Sequence, residues 1–373
     1  MNVPVNEPII TEEAKRNVQE ALDSGWVSSA GPFIDAFEKE FAQIIGVKHA
    51  ITTTSGTTAL HLALAALNIG PGDEVIVPDF TMIASPFAVL YTGATPTFVD
   101  CDREIFAIDP EKIEAAITPR TKAIMPVHLF GHPADMDPIR AIAKKYHLAV
   151  LEDAAEAHGA MYRGKRCGAL GDIAAFSFYG NKIITTGEGG MVTTDDDALA
   201  AKARALKDLA HTPGKRFTHS QLGYNYRMTN MQAGLGLGQL QHLDEFIAKK
   251  QWMADAYATG LRNIKGLRLP VTKPWAKNVY WMEAILVEDD FGMSRDQLRK
   301  ELLARGIDTR DFFTSSAAQP AIRDLRPPQG PFPVTEDIAK RGFYLPSGLA
   351  LTEEQIEYVC ECMKEIAARS KNM

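Results

Sequence analysis

The chain lacks most of what would mark a specialised class. Four cysteines in 373 residues are too few for a disulfide framework. Cys360 and Cys362 fall within one helical pattern over 353–364, with no second thiol or histidine pair beside them, and read as helix residues. The nine histidines are scattered, and no metal is expected. No apolar run approaches the length of a membrane span, and the amino terminus carries no basic-then-apolar leader. Basic residues are outnumbered 40 to 47 by acidic ones, and the net charge of −7 argues against a nucleic-acid or anionic-membrane partner. Repeats and low-complexity tracts are missing as well. What remains is 46% hydrophobic and 23% charged, the composition of an ordinary soluble protein, here expected in the cytoplasm. The length suggests two domains.

Hydrophobic periodicity supplies the layout. Helices are predicted over 12–22 and 34–45, separated by a Gly/Ser/Pro-rich linker. Short apolar strands at 48–53, 74–78, 97–99, 123–127, 149–151 and 174–178 then alternate with helices at 57–67, 85–91, 110–117 and 138–146. Nearly all-apolar strands alternating with helices imply an α/β domain, its mainly parallel sheet covered on both faces. A helix over 195–207, a polar loop over 211–221 and one long helix over 230–250 follow. Beyond about residue 250 the pattern becomes mixed, giving a large domain over 1–248 and a smaller α+β domain over 249–373.

The stretch Ala174-Ala-Phe-Ser-Phe-Tyr-Gly-Asn-Lys182, followed by Ile-Ile-Thr-Thr-Gly-Glu-Gly-Gly190, organises the rest. It places Lys182 on a short loop between two buried strands, with one acid, Glu188, close in sequence. A lysine losing hydration there has a lowered pKa and an accessible neutral amine, the state a Schiff-base lysine requires. A solvated loop lysine fits the same residues.

Three other stretches stand at the ends of elements, where an open α/β sheet builds its ligand crevice. Thr53-Thr-Ser-Gly-Thr-Thr58 is a strand-to-helix turn, and serves as an ordinary N-cap or as a phosphate cradle. Asp153 lies just past a buried strand, where a carboxylate must be paired; it suits a structural acid or the partner of a pyridine nitrogen. Leu222-Gly-Tyr-Asn-Tyr-Arg-Met-Thr229 opens the long helix, by plain capping or as an anion site for a facing chain. Gly234-Leu-Gly-Leu-Gly238 imitates a dinucleotide fingerprint but follows no strand, so close helix packing explains it better.

Taken together, Glu152-Asp-Ala-Ala-Glu-Ala-His-Gly159, Gly171-Asp-Ile-Ala-Ala-Phe-Ser-Phe178 with Lys182 and Gly187-Glu-Gly-Gly190, and Gly223-Tyr-Asn-Tyr-Arg-Met-Thr229 resemble the DegT/DnrJ/EryC1/StrS nucleotide-sugar aminotransferases over residues 3–363. The resemblance implies the fold-type-I architecture, with a seven-stranded sheet domain, a small carboxy-terminal domain and a homodimer with shared active sites. It implies pyridoxal 5′-phosphate as cofactor, with pyridoxamine 5′-phosphate as its aminated form, and a keto-sugar nucleotide and glutamate as substrates. Lys182 matches the Schiff-base lysine and Asp153 the partner of the ring nitrogen. Glu156 matches a position near the ring hydroxyl. Gly56, Thr57 and Ser177 match phosphate ligands, and Asn225 one given by the neighbouring subunit. Met82 stands where relatives stack an aromatic on the ring. The segment 312–320 has Ala317 and no histidine where relatives often carry one. Arg227, Lys215, Arg216 and Arg310 are candidates for substrate phosphates or the glutamate carboxylate. Ser24-Gly-Trp-Val-Ser-Ser29, Asn181 and Gly214-Lys-Arg216 most resemble the branch that aminates C4 of GDP-4-keto-6-deoxymannose. A UDP- or dTDP-linked keto sugar, aminated at C3 or C4, is the alternative within the family. A pyridoxal-phosphate-binding regulator without turnover is the alternative outside enzymes.

Overall fold

In the computed structural model, residues 1–325 and 329–370 are described. Seven strands form the principal sheet: β1 (His49–Thr53), β2 (Glu74–Pro78), β3 (Thr95–Val99), β4 (Thr121–Ile124), β5 (Ala149–Asp153), β6 (Ile173–Ser177) and β7 (Gly190–Thr194). Their spatial order is β1-β7-β6-β5-β4-β2-β3. From β6 to β3 every pairing is parallel, and β7 alone runs against its neighbours. The expected α/β sheet is therefore present. Alternation along each strand explains why both faces are apolar. Ala174 and Phe176 of β6 join a core with Phe37, Phe41 and Phe178, whereas Ile173 and Ala175 join an opposite core with Leu60, Leu62 and Val77.

A second, four-stranded sheet is built from Leu267–Arg268, Glu283–Val287, Gly342–Leu345 and Arg310–Asp311, in that spatial order. Its core includes Tyr257, Ile285, Phe343 and Val359. Val3 belongs to this core too, bridging to Ile307. The helix Leu243–Leu261 spans both parts, giving Phe246 and Ile247 to the first core and Met253, Tyr257 and Leu261 to the third.

Two expectations need correction. The polar loop over 211–221 contains a hairpin, His211–Thr212 paired with Lys215–His219. The long helix over 230–250 is two helices, Asn230–Leu240 and Leu243–Leu261, broken where His242 leaves helical dihedrals at φ −103°. Both halves keep an apolar face, so periodicity alone does not see the break. The glycines of the first half do serve close packing. A Cβ on Gly238 would lie 2.3 Å from the Ala14 amide nitrogen, in the helix Glu12–Asp23.

Candidate active site

The carboxyl ends of the parallel strands converge on a cavity of about 400 Å³. Ser55, Gly56 and Thr57 reach it from the turn after β1, and Thr81 and Met82 from the turn after β2. Asp153 comes from the end of β5, and Glu156 lies just beyond it. Ser177 comes from the end of β6 and Lys182 from the loop between β6 and β7. Trp281, Phe313 and Tyr344 close the cavity from the carboxy-terminal part.

Lys182 is buried. Its Nζ stands 3.8 Å from Glu156 Oε1 and 3.8 Å from the Trp281 ring centroid. Burial holds the amine below the usual lysine range, while Glu156 and Asp153 pull the other way. The loop therefore does produce a lysine poised toward its neutral form. The acids that face it are Glu156 and Asp153, from elsewhere in the sequence, with Glu188 also lining the cavity. Glu156 is pushed up to about 7 by burial, although its Oε2 accepts the Phe130 N–H at 2.8 Å. Asp153 is likewise raised by burial, and two donors steady its charged form. Ser85 Oγ–H donates to Oδ2 at 2.7 Å, and the Ala155 N–H to Oδ1 at 3.2 Å.

The turn after β1 is both an N-cap and a cradle. Ser55 and Thr58 form a capping box, so the Gly56 and Thr57 amides head the helix Gly56–Ala66 without intrahelical acceptors. A Cβ on Gly56 would lie 2.6 Å from Ser177 Cβ, and one on Gly190 would lie 2.3 Å from the Ser55 carbonyl oxygen. Glycine at both positions lets three segments close around a small anion site. This donor set fits a phosphate, and a buried carboxylate and a buried amine border the same cavity. The chain's own residues therefore match the demands of pyridoxal phosphate.

Other predicted residues lie apart. Asn225 is exposed and its backbone bridges to Asp208, and Arg227 is ion-paired with the Asp208 carboxylate at 2.5 Å. Neither lines the cavity of its own chain. Lys215 is exposed on the 211–219 hairpin, and the Arg216 side chain lies outside the described residues. Arg310 is exposed on a strand end, paired in register with Tyr344. Met82 lines the cavity and is half exposed (48%). Thr229 caps the helix Asn230–Leu240 through a capping box with Gln232.

Sequence reasoning missed Ser85, Trp281 and Tyr344. Ser85 had a visible cue, a hydroxyl four residues after Thr81 at a helix start, and Thr81 Oγ1 is 3.0 Å from its Oγ. It also passed over His128 and His132, four residues apart. Among the described residues His128, Glu152 and Cys167 form one buried group of metal-capable atoms within 4.8 Å. Their lone pairs are largely committed. Glu152 accepts from the Gly168, Leu170 and Gly171 amides and from His128 Nε2, while His128 Nδ1 accepts the Ala134 N–H at 3.0 Å. His132 Nε2 accepts the Lys273 N–H at 3.1 Å.

Comparison with known proteins agrees with this geometry. The model of the DegT/DnrJ/EryC1/StrS aminotransferase family matches residues 8–364. The chain belongs to that family. It is thus a pyridoxal-phosphate-dependent sugar aminotransferase. It is 47% identical to a GDP-perosamine synthase of Caulobacter vibrioides, covering 98% of each chain. It is 42% identical to dTDP-3-amino-3,4,6-trideoxy-alpha-D-glucose transaminase of Streptomyces venezuelae, over 96% of this chain and 93% of the relative. The solved structure of S. venezuelae DesV superposes with a TM-score of 0.90 at 40% identity, covering 97% of this chain and 99% of that one. No helix among the described residues is long and apolar enough to cross a membrane.

Proposed function

We propose that this aminotransferase moves an amino group from glutamate to the C4 keto carbon of GDP-4-keto-6-deoxymannose, giving GDP-perosamine. The observation that carries the choice is the full-length similarity to the Caulobacter vibrioides GDP-perosamine synthase. Bound pyridoxal 5′-phosphate, with pyridoxamine 5′-phosphate as its amino-bearing form, supplies the electron sink for the exchange. The chain's residues do the rest. Gly56, Thr57 and Ser177 bind the phosphate at the head of a helix. Asp153 keeps the ring nitrogen protonated. Glu156 would face the ring hydroxyl, and the Met82 thioether would cover the ring face. Lys182 would hold the cofactor, and its Nζ would serve in turn as the general base and general acid that moves the proton.

The active enzyme is a homodimer in this reading. The exposed Asn225, which does not line its own chain's cavity, completes the phosphate site of the partner subunit. Arg227, Lys215, Arg216 and Arg310 are the cations available to the nucleotide diphosphate and to the glutamate carboxylate. A second reading, favoured by the 42% identity to the Streptomyces venezuelae transaminase, is a dTDP-linked keto sugar. A screen of GDP-, dTDP- and UDP-linked keto sugars with glutamate, read by product mass, separates the two. The proposal requires GDP-4-keto-6-deoxymannose to have the highest kcat/KM. A better dTDP or UDP substrate overturns the named substrate and leaves the family membership intact.

A further inference from the structure

Trp281 faces the amine of Lys182, and three contacts hold it there. Its indole Nε1–H donates at 2.8 Å to the carbonyl of Asn181, the residue just before Lys182. Its ring lies near-parallel to that of Phe130, with centroids 6.4 Å apart and planes 16° apart. Its own carbonyl accepts from Lys250 Nζ at 2.8 Å, and the same buried amine also donates to the Ser347 carbonyl. Burial pulls the Lys250 pKa down to about 7, with Glu283 opposing, and in either protonation state its amine donates N–H groups to backbone carbonyls, so movement of those segments would leave buried polar groups unpaired. Tryptophan, lysine loop and domain-spanning helix are thereby tied together.

Lys182 Nζ lies 3.8 Å from the centroid of that ring, well inside the range of about 6 Å for a cation–π contact. From these contacts we infer that Trp281 is a positioning residue for Lys182: its ring face fixes the displaced amine in the cavity and favours its protonated form. The inference rests on Lys182 being the cofactor lysine. Proton transfer in both directions needs an amine that is neither permanently charged nor permanently neutral. Burial drives Lys182 toward neutrality, and the carboxylates of Asp153 and Glu156 oppose it. The tryptophan face adds a further bias toward the ammonium without burying another full charge.

Other titratable groups border the same cavity or face the amine. Glu188 borders the cavity from the glycine-rich loop. His158 is neutral, because burial pulls its pKa down to about 3. Tyr344 is neutral as well, pushed up to about 12.

The test is the pH dependence of Lys182 modification by an amine-reactive reagent in the full-length, cofactor-free protein, quantified on the Lys182 peptide by mass spectrometry. Trp281→Met removes the π face, and Trp281→Phe keeps one without the N–H. The methionine variant should titrate about one pH unit lower, with about tenfold faster modification below the midpoint. The phenylalanine variant should recover most of that shift. An unmoved midpoint in Trp281→Met, or equal shifts in both variants, overturns the inference. If the methionine variant does not fold, fluorinated tryptophan replaces all four tryptophans. The shape is then kept while the ring loses electron density. The midpoint should fall stepwise with fluorination, and a constant midpoint overturns the inference. Modification is read on the free amine. Cofactor attachment is read separately by borohydride trapping, so failure of one does not imply failure of the other.

Discussion

Ser85 supplies the sharpest test of how the cavity prepares Asp153. Its hydroxyl donates at 2.7 Å to a buried carboxylate whose pKa is already raised by desolvation. A hydrogen bond to a charged group contributes about 1.5–3 kcal/mol. Ser85→Ala should therefore lift the Asp153 pKa by a further 1–2 units or so, at about 1.4 kcal/mol per unit. The bond favours the ionised form, so its loss is felt where the carboxyl must be ionised before it can hold a protonated ring nitrogen. Well above both midpoints Asp153 is ionised in both proteins, and cofactor affinity should be nearly equal. As pH falls through the variant's midpoint the affinities should diverge, reaching a ratio of about 10–100 below the parent's midpoint. Cofactor titration across the whole pH range in which the protein stays folded, followed by visible absorbance, measures this ratio directly. The cofactor's own ionisations cancel between the two proteins. A ratio that does not change with pH, or no loss of affinity at acid pH, refutes the reasoning.

Other expectations concern stability and assembly. Glu156 has a folded pKa of about 7 against an ordinary value of 4.5, so its buried charge is a penalty absent below pH 4.5 and complete above pH 7. Glu156→Gln should thus be more heat-stable than the parent at pH 8, by on the order of 1–3 kcal/mol, and level with it near pH 4.5; equal melting at pH 8 contradicts this. Gly238→Ala puts a methyl 2.3 Å from the Ala14 nitrogen and should destabilise the fold by about 1–3 kcal/mol in denaturant unfolding, while cofactor affinity stays unchanged. Co-expressed Lys182→Ala and Asn225→Ala chains should regain about a quarter of parental activity if Asn225 acts across the dimer. Confirmed heterodimers with no gain would place it in its own chain's site.

The strand-and-helix order of the large sheet was legible because its strands are short, apolar on both faces and punctuated by glycine-rich turns. That Lys182, Asp153 and Gly56 border one cavity was legible because each lies at or just after the end of a buried strand, whereas Ser177 was placed by the family resemblance alone. The partners that set their chemistry were not legible. Trp281 and Tyr344 lie about 100 and 160 positions from Lys182 and are brought to the same cavity by the second sheet and the segment leading into it. Glu156 is visible as a residue, but its 3.8 Å approach to Lys182 depends on how two loops close over one cavity. The break at His242 was hidden because both helices keep an apolar face. The 211–219 hairpin was hidden by its polar composition. Asn225 and Arg227 could be placed only relative to their own chain, where they lie away from the cavity.

The central claim is that Lys182 carries the cofactor. Borohydride reduction of the purified holoenzyme, followed by peptide mapping, tests it directly. The cofactor mass should appear on the peptide containing Lys182, and Lys182→Ala should lose both that adduct and glutamate-dependent amination. Labelling of another lysine, such as the half-buried Lys207 or the buried Lys250, or appreciable amination by the alanine variant, would contradict the account.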